Sequence, residues 1–458
     1  MLAERGRVHF VGVGGAGMSA IAKVLLERGV HISGSDLKRS RALSVLEALG
    51  ARVSIGHDAE LVQGSDVVVV SSAIPPHNPE VRRARELGIA VVSRGEALAA
   101  LLDGSQSIVV AGTHGKTTTT SMIASVLRCA GLDPTYLIGG GLNDAGTNAR
   151  HGRGEFVVAE SDESDGSFLL LAPHVAVVTN VDADHLDHWS SLGAIREAFA
   201  RWLDAVPATG TIVLPAFDGD LVAHVRGRGR RPTVFGDGGD VVAEDVSYAA
   251  AGSRFTLCVD GERAAVELAM PGRHNVLNGL AAAAACRAAG LTVADVGRGL
   301  TEYRGVERRF ERRGDAQGVT VIDEYAHHPT EVRASLSAAR LGPWRRVVAV
   351  FQPHRYSRTA ALARDFGGAF DDADVIVVTD VYGAGEQPVP GISGKVVSDA
   401  VCARLPGRAI AYLPHRDELL DYLVRAARPG DALMTLGAGD ITSVGDEVLS
   451  RLAAAESS

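Results

Sequence analysis

The segment Ile108-Val109-Val110-Ala111-Gly112-Thr113-His114-Gly115-Lys116-Thr117-Thr118 joins a short apolar run to a helical pattern. A glycine-containing turn between a strand and a helix is the setting of a phosphate-binding loop, in which backbone N–H groups face phosphate oxygens. Lys116 then supplies positive charge to the outer phosphates, and the Thr117 hydroxyl can coordinate Mg²⁺. Val110 stands where the usual pattern has its first glycine, so the alternative is a turn with a solvated lysine. The residues predicted to bind the nucleotide here are Gly112, Thr113, His114, Gly115, Lys116, Thr117 and Thr118.

On both sides of this segment, β-branched runs alternate with helical patterns, which predicts an α/β protein with mostly parallel sheets. At roughly 150 residues per domain, the 458 residues predict about three domains. A polar stretch at 103–107 is a candidate linker. Residues 231–270 differ from the rest, because their short runs and the Asp260-Gly261 turn predict a small antiparallel section.

Composition excludes several classes of protein. The net charge is −9, from 46 basic and 55 acidic residues, so the field that drives non-specific nucleic-acid binding is missing. The four cysteines lie far apart, without the spacing of a zinc site or a disulfide framework. The first residues lack the features of a signal peptide, and the uncharged stretch at 8–22 is too short to span a bilayer. We therefore expect a cytoplasmic protein without nucleic-acid or membrane partners.

A second glycine motif, Gly12-x-Gly14-x-x-Gly17, follows the first predicted strand, and Asp36 lies 24 positions after Gly12. This pattern predicts a diphosphate-bearing ligand at the N-terminus of the following helix. Two alternatives are an NAD(P) site in a dehydrogenase and close helix–strand packing without a ligand. Further candidate ligand contacts follow the carboxyl end of the strand 67–70, and these are Ser71, Ser72, His77 and Asn78.

Two acidic clusters, at 160–166 and 180–188, follow successive strands of the central block. We expect these strands to be adjacent, so the like charges repel unless a cation lies between them, which favours a divalent metal ion. The second cluster is also compatible with a two-metal hydrolase or with a solvated acidic loop. The neighbouring phosphate-binding loop favours Mg²⁺ bound with a nucleotide.

Two polar clusters of the third block, at 323–329 and 352–359, also follow strands that we expect to be adjacent. Arg355 and Arg358 can clamp a carboxylate. The pair His327-His328 is an alternative zinc site, although adjacent histidines point apart. Arg308-Arg309 lies at a domain junction, where a phosphate contact is favoured over a solvated basic pair.

An ordered set of motifs thus runs from the first block to the third. It comprises Gly12–Met18, Gly112–Thr118, Glu160–Asp165, Asp182–His188, Gly272–Asn278, Gly305–Phe310, Tyr325–Pro329 and Phe351–Tyr356. Through these motifs the chain resembles the Mur ligase family over essentially its whole length. The resemblance implies three domains: a Rossmann-like UDP-sugar domain (1–104), a central P-loop ATPase domain (105–309) and a Rossmann-like amino-acid domain (310–458).

The resemblance also implies an activity. It is the ATP-dependent addition of L-alanine to the carboxylate of UDP-N-acetylmuramate through an acyl phosphate, for peptidoglycan precursor synthesis, with ATP and Mg²⁺ bound and a monomeric or homodimeric state. One alternative is the related recycling ligase, which joins a tripeptide to the same nucleotide sugar. Alternatives from other classes are a dehydrogenase, a metal-dependent phosphoesterase and a non-catalytic nucleotide-binding scaffold.

Site residues carried over by resemblance fall into four groups. Lys116, His185 and Arg309 are the implied catalytic residues, and Thr117, Glu160 and His185 the implied metal ligands. ATP is implied to contact Asn278 through adenine, Arg309 through phosphate and Asp323 through ribose. The nucleotide sugar is implied to contact Gly14, Gly15, Gly17, Asp36, Ser71, Ser72, His77, Asn78, Thr147, Asn148 and His188. L-Alanine is implied to contact Tyr325, His327, Arg355 and Arg358.

The chain departs from the family pattern at two places. Some Mur ligases carry a carbamylated lysine after the second acidic cluster, whereas this chain has no lysine between Asp182 and Asp220. Glu324 occupies a position where aspartate is expected.

Overall fold

The computed structural model describes residues 6–186 and 188–456 and places three sheets in them, which confirms the predicted α/β class. The proposed domain boundaries fall in the connecting segments 103–105 and 303–310. Two parts of the chain that the predictions used lie outside the described residues. One is Met1–Arg5, which begins the segment that lacks signal-peptide features, and the other is Asp187 of the second acidic cluster. No helix in the described part of the chain is long and apolar enough to cross a membrane.

The first sheet consists of five parallel strands connected mainly by helices. Its elements are β1 (Arg7–Val11), α1 (Ala16–Glu27), β2 (His31–Asp36), α2 (Arg41–Ala48), β3 (Arg52–Ile55), a 3-10 turn (Ala59–Val62), β4 (Val67–Val70), α3 (Pro79–Glu86), β5 (Ala90–Ser93) and α4 (Arg94–Leu102). The strand order β3-β2-β1-β4-β5 reverses at β1, so the glycine turn lies at the point where such sheets bind ligands. Strand β1 ends at Val11, because Gly12 turns the backbone with a φ of 80°.

The second sheet contains ten strands. Its elements are β6 (Gln106–Ala111), α5 (Lys116–Cys129), β7 (Thr135–Leu142), β8 (Thr147–Arg150), β9 (Phe156–Glu160), a 3-10 turn (Ser167–Leu170), β10 (Val175–Val178), α6 (Leu192–Asp204), β11 (Thr211–Pro215), α7 (Gly219–Gly227), β12 (Thr233–Phe235), β13 (Val241–Ala249), β14 (Gly252–Val259), β15 (Glu262–Leu268), α8 (Arg273–Ala288) and α9 (Val293–Glu302). Strands β13, β14 and β15 form the predicted antiparallel section. The expectation that the two acidic clusters follow adjacent strands is wrong, because β6 lies between β9 and β10.

The third sheet contains six strands. Its elements are β16 (Glu311–Ala316), β17 (Val319–Glu324), α10 (Pro329–Ala339), β18 (Arg346–Phe351), α11 (Tyr356–Phe366), β19 (Val375–Val378), α12 (Gly394–Arg404), β20 (Ala409–Tyr412), α13 (Arg416–Ala426), β21 (Asp431–Leu436) and α14 (Thr442–Glu456). All strands except β16 are parallel. Here too the expected adjacency is wrong, because β21, the last strand of the chain, inserts between β17 and β18.

Helix α8 is rich in alanine, and this composition allows close packing. Five consecutive alanines of this helix, at 281–285, are buried against the sheet and α5. Alanine has the strongest helix propensity, and its small side chain lets neighbouring backbones approach closely. Helices α5 and α8 are thereby fixed against the sheet edge that carries the phosphate-binding loop.

Candidate active site

The predicted phosphate-binding loop connects β6 to α5, and two of its glycines are required by geometry. Gly112 and Gly115 have φ values of 132° and 78°, in the region that favours glycine. A Cβ at Gly112 would overlap Thr179, and one at Gly115 would overlap Asn278. The Thr179 hydroxyl, directly after the neighbouring strand β10, also donates to the His114 carbonyl at 2.6 Å and so helps to hold the loop in shape.

Lys116 is folded back onto its own loop. Its Nζ donates to the Gly112 carbonyl at 2.6 Å, to the Thr113 carbonyl at 3.2 Å and to Glu163 Oε2 at 2.8 Å. Burial lowers the pKa of Lys116, but the carboxylates around it, chiefly Glu163, outweigh burial and raise the pKa above its ordinary value. Lys116 is therefore a fixed cation whose present partner is a carboxylate.

Five side chains of types that can bind a metal ion lie around the start of α5. The predicted ligands Thr117, Glu160 and His185 all line one large cavity, and Glu160 Oε2 accepts the N–H of Gly139 at 2.8 Å. Ligand atoms of Glu163, His185 and the neighbouring Asp162 lie within 4.8 Å of one another. Glu163 Oε1 and His185 Nδ1 are buried without a hydrogen-bond partner among the described residues. Burial lowers the pKa of His185, so the imidazole is neutral, and this donor set suits a divalent cation.

His114 connects the central domain to the third. Its Nδ1 lies 3.2 Å from Glu331 Oε1 and its Nε2 lies 3.2 Å from Asp182 Oδ2. Burial opposes protonation, but hydrogen bonds to Asp182 and Glu331 outweigh it and raise the pKa of His114 to about 9. Both ring nitrogens of His114 thus face carboxylates, and the cluster of His114, Asp182 and His328 forms a hydrogen-bonded contact between domains.

The His114 contact predicts a pH-dependent stability. The ordinary histidine pKa is about 6.5, below the folded value of about 9, so the contribution is complete below pH 6.5 and disappears as the pH rises through 9. The difference in Tm between the wild type and His114→Gln should therefore shrink between pH 6.5 and 9. Thermal unfolding followed by circular dichroism measures it. A difference in Tm that stays constant across this range would refute the charged contact.

A second contact between these domains is the buried pair of Arg358 and Asp184. Nε and Nη2 of Arg358 each donate to one Asp184 oxygen at 3.0 Å, and both side chains are buried. The carboxylates of Asp182 and Asp184 are thus engaged by His114 and Arg358, which argues against a two-metal hydrolase. His188, at the end of this cluster, is exposed and packs edge-on against Trp189.

The residues implied to contact the amino acid come together in the large cavity: Tyr325, His327, Arg355 and Arg358 all line it. Burial lowers the pKa of His327 to about 3, and its Nδ1 lies 2.9 Å from the Tyr325 carbonyl, which requires the N–H at Nδ1. Nε2 of His327 is therefore an acceptor. Arg355 Nε donates to Glu386 Oε1 at 2.8 Å. His328 bonds instead to the Ala183 carbonyl, so the two histidines do not form a zinc site.

Two cavities meet at the phosphate-binding loop. The larger, of about 610 Å³, is lined by all three domains, including Gly17, Lys116 and His327. The smaller, of about 340 Å³, is lined by Asn278 and by apolar side chains such as Phe217. They share three lining residues, which are Gly115, Arg309 and Glu331.

Arg309 is the predicted phosphate contact and lies at this junction, with its guanidinium 5.0 Å from the centre of the Tyr325 ring. Asp323, implied to contact ribose, is completely buried and accepts hydrogen bonds from Arg308, Thr435 and Thr442. The neighbouring Glu324 lines the smaller cavity instead. The Asp323 carboxylate therefore lines neither the larger nor the smaller cavity.

Of the residues predicted to contact a ligand in the first domain, some bond within the protein, and others are accessible to a ligand. Asp36 Oδ2 accepts the N–H of Gly14 at 2.8 Å and so shapes the glycine turn. The Asn78 side chain is buried as the N-cap of α3, which removes it from solvent. The positions left open to a ligand include Gly15, Ser72 and His77, which are exposed, and Ser71 and Gly17, which are half-buried.

Thr147 and Asn148 lie on β8, where α1 packs against the central domain. The Thr147 hydroxyl contacts Lys23 of α1. These two residues therefore belong to the boundary between the first and second domains.

Several residues of this site were not among the predicted contacts. Glu163 bonds to Lys116, and Glu331 bonds to His114. Arg94 lines the large cavity from the first domain. The sequence does mark Glu331, because it lies three residues after His328, which is the spacing of a helix capping box. The two residues form that capping box at the start of α10. Arg94 lies in none of the motifs that were used for the prediction.

The chain matches three models of one family: "Mur ligase family, catalytic domain" over 7–106, "Mur ligase middle domain" over 110–286 and "Mur ligase, glutamate ligase domain" over 308–439. The chain belongs to the Mur ligase family. It is 47% identical over 456 residues to a UDP-N-acetylmuramate–L-alanine ligase of Geobacter sp. (strain M21), covering 99% of each chain. It is 48% identical over 449 residues to the enzyme of that name from Rubrobacter xylanophilus, covering 97% of this chain and all of the relative.

Solved structures give the same classification. The UDP-N-acetylmuramate–alanine ligase of Thermotoga maritima superposes with a TM-score of 0.83 at 31% identity, covering 98% of this chain and 99% of that one. A murein peptide ligase from Psychrobacter arcticus superposes with a TM-score of 0.72 at 26% identity, covering 98% of both chains.

Proposed function

We propose that this protein joins L-alanine to the carboxylate of UDP-N-acetylmuramate, with ATP converted to ADP and phosphate. The observation that carries the proposal is the large cavity, where Gly17 of the first domain, Lys116 of the second and His327 of the third face one space. A ligase needs this arrangement, because the activated acid must meet the amine without leaving the site. The names of the relatives support L-alanine as the amine donor.

The first step activates the acid. The muramoyl carboxylate attacks the γ-phosphorus of ATP, the bond to the β–γ bridging oxygen breaks, and an acyl phosphate and ADP form. Lys116 and Arg309 lie where they can stabilise the charge that develops on the transferred phosphoryl group. The smaller cavity, lined by Asn278 and by the apolar Phe217, is the proposed adenine site.

The metal-binding side chains fit Mg²⁺ as the companion of ATP. Thr117, Glu160 and His185 would hold it, and Glu163 becomes available once phosphate takes over Lys116. Bound there, Mg²⁺ would supply positive charge to the phosphates. The unpartnered atoms of Glu163 and His185 support this assignment.

In the second step, the neutral amine of L-alanine attacks the acyl carbon, the bond from that carbon to the phosphate oxygen breaks, and the departing phosphate takes the proton that the amine loses. A pKa of about 3 makes His327 too weak a base to take a proton from an ammonium group, so its Nε2 orients the amine as a hydrogen-bond acceptor. Arg355 and Arg358 line the same cavity and are the proposed partners of the alanine carboxylate. Closure around the site excludes water, which would hydrolyse the acyl phosphate.

Phosphate release from ATP tests this proposal. We expect release only when UDP-N-acetylmuramate and an amine donor are both present, with L-alanine preferred over the tripeptide, and the same assay measures whether glycine or serine replaces L-alanine. A preference for the tripeptide would favour the recycling ligase, and release without the nucleotide sugar would favour a phosphoesterase. Oxidation of NADH, followed at about 340 nm, would favour a dehydrogenase. A cytoplasmic location and a monomeric or homodimeric state stay predictions.

A further inference from the structure

Arg94 lies at the carboxyl edge of the first sheet, because it starts α4 directly after β5. Its guanidinium packs over the first turn of α1: a Cβ built on Gly17 would lie 3.0 Å from Nη1 and 3.3 Å from Cδ. The side chain lines the large cavity and keeps 25% of its surface exposed. It is therefore open to a ligand bound beside the glycine turn.

The same guanidinium reaches the central domain. Its Nη2 donates to Asp165 Oδ2 at 3.1 Å and lies 4.0 Å from Asp162 Oδ2. Both aspartates belong to the loop 161–166, and Glu163 of this loop holds Lys116 at 2.8 Å. One side chain thus touches both the glycine turn of the first domain and the loop that holds the lysine of the second.

We infer that Arg94 binds the diphosphate of the nucleotide sugar, an inference that rests on the proposed function. A planar guanidinium carries five N–H donors, and the bond to Asp165 uses Nη2, while Nη1 faces Gly17. Arginine suits phosphate groups because its donors match two oxygens at once. Because Arg94 also holds the loop 161–166, the diphosphate and this loop share one cation, which links the nucleotide-sugar site to Lys116.

Binding of UDP and of uridine to the whole protein tests this inference, since uridine lacks the diphosphate. In isothermal titration calorimetry, Arg94→Gln should weaken UDP by about tenfold or more, the loss expected for a hydrogen bond to a charged group. The Kd for uridine should stay unchanged. Arg82→Gln, at an exposed arginine of α3 in the same domain, is the matched control and should leave both Kd values unchanged.

Asp165→Asn gives a second, independent measurement. It leaves the guanidinium in place but removes its charged partner, so the affinity for UDP should be kept or increased. Equal losses for UDP and uridine in Arg94→Gln, or a loss of UDP affinity in Asp165→Asn as large as in Arg94→Gln, would make the pair structural and overturn the inference. So would unchanged UDP binding with weakened UDP-N-acetylmuramate, which would place Arg94 on the sugar carboxylate.

The same data separate this inference from the proposed function. An enzyme that ligates L-alanine and binds UDP equally well with and without Arg94 overturns the Arg94 assignment alone. A wild-type protein that neither binds UDP nor ligates L-alanine to UDP-N-acetylmuramate overturns both.

Discussion

Lys116→Ala should lower kcat for ligation by about 10²–10³-fold, the usual cost of removing one donor that stabilises transition-state charge. Lys116 is held as a cation at the junction between loop and cavity by two backbone carbonyls and Glu163. Phosphate oxygens can replace the carboxylate as its partner, because the charge-assisted bond is exchanged and not lost. Steady-state phosphate release at saturating ATP, UDP-N-acetylmuramate and L-alanine measures the effect.

The control for this variant is Lys395→Ala, which removes an exposed lysine of α12 whose Nζ donates to Asp399, one turn further along the same helix. It should ligate like the wild type. Near-normal ATP-dependent ligation by Lys116→Ala would contradict the assignment of the loop as the ATP site. A folded variant that loses activity only below saturating ATP would place Lys116 in binding and not in phosphoryl transfer.

Local sequence signals were sufficient for much of the fold. The strand 67–70 has the predicted bounds, and the strand–loop–helix unit around Lys116 forms as expected, because apolar runs and glycine turns act over a few residues. Strand order was not predictable in this way. Both errors of adjacency arise where a third strand, β6 or β21, inserts between two others, and only the crossover connections determine that.

The candidate site, like the fold, was predictable from the sequence only in part. Motifs identified the residues at strand ends that line the cavities, but not the role of each side chain. Asn78 caps a helix and Asp323 is buried among hydroxyls, which depends on partners that the sequence does not mark. The bond between His114 and Glu331 spans 217 positions, and it forms only because α10 of the third domain packs beside the phosphate-binding loop.

Asp184→Ala should be the most destabilising single change proposed here, because it leaves the buried guanidinium of Arg358 without its partner. Breaking a buried ion pair from one side costs about 3–5 kcal/mol, and both side chains are buried here with two bonds of 3.0 Å. The variant should unfold at a lower Tm than the wild type. The double variant with Arg358→Ala should recover part of the loss, because no unpaired charge then stays buried.

The kinetics of Arg358→Ala test whether this arginine binds the substrate carboxylate in addition to pairing with Asp184. If Arg358 also binds the substrate carboxylate, its removal raises KM for L-alanine and leaves KM for UDP-N-acetylmuramate unchanged. Asp184 then occupies, in the absence of substrate, the same guanidinium that the alanine carboxylate needs, so the two carboxylates compete or share its donors. Additive losses of Tm in the double variant would show that the pair is not coupled. A change confined to KM for the nucleotide sugar would move the carboxylate clamp away from Arg358.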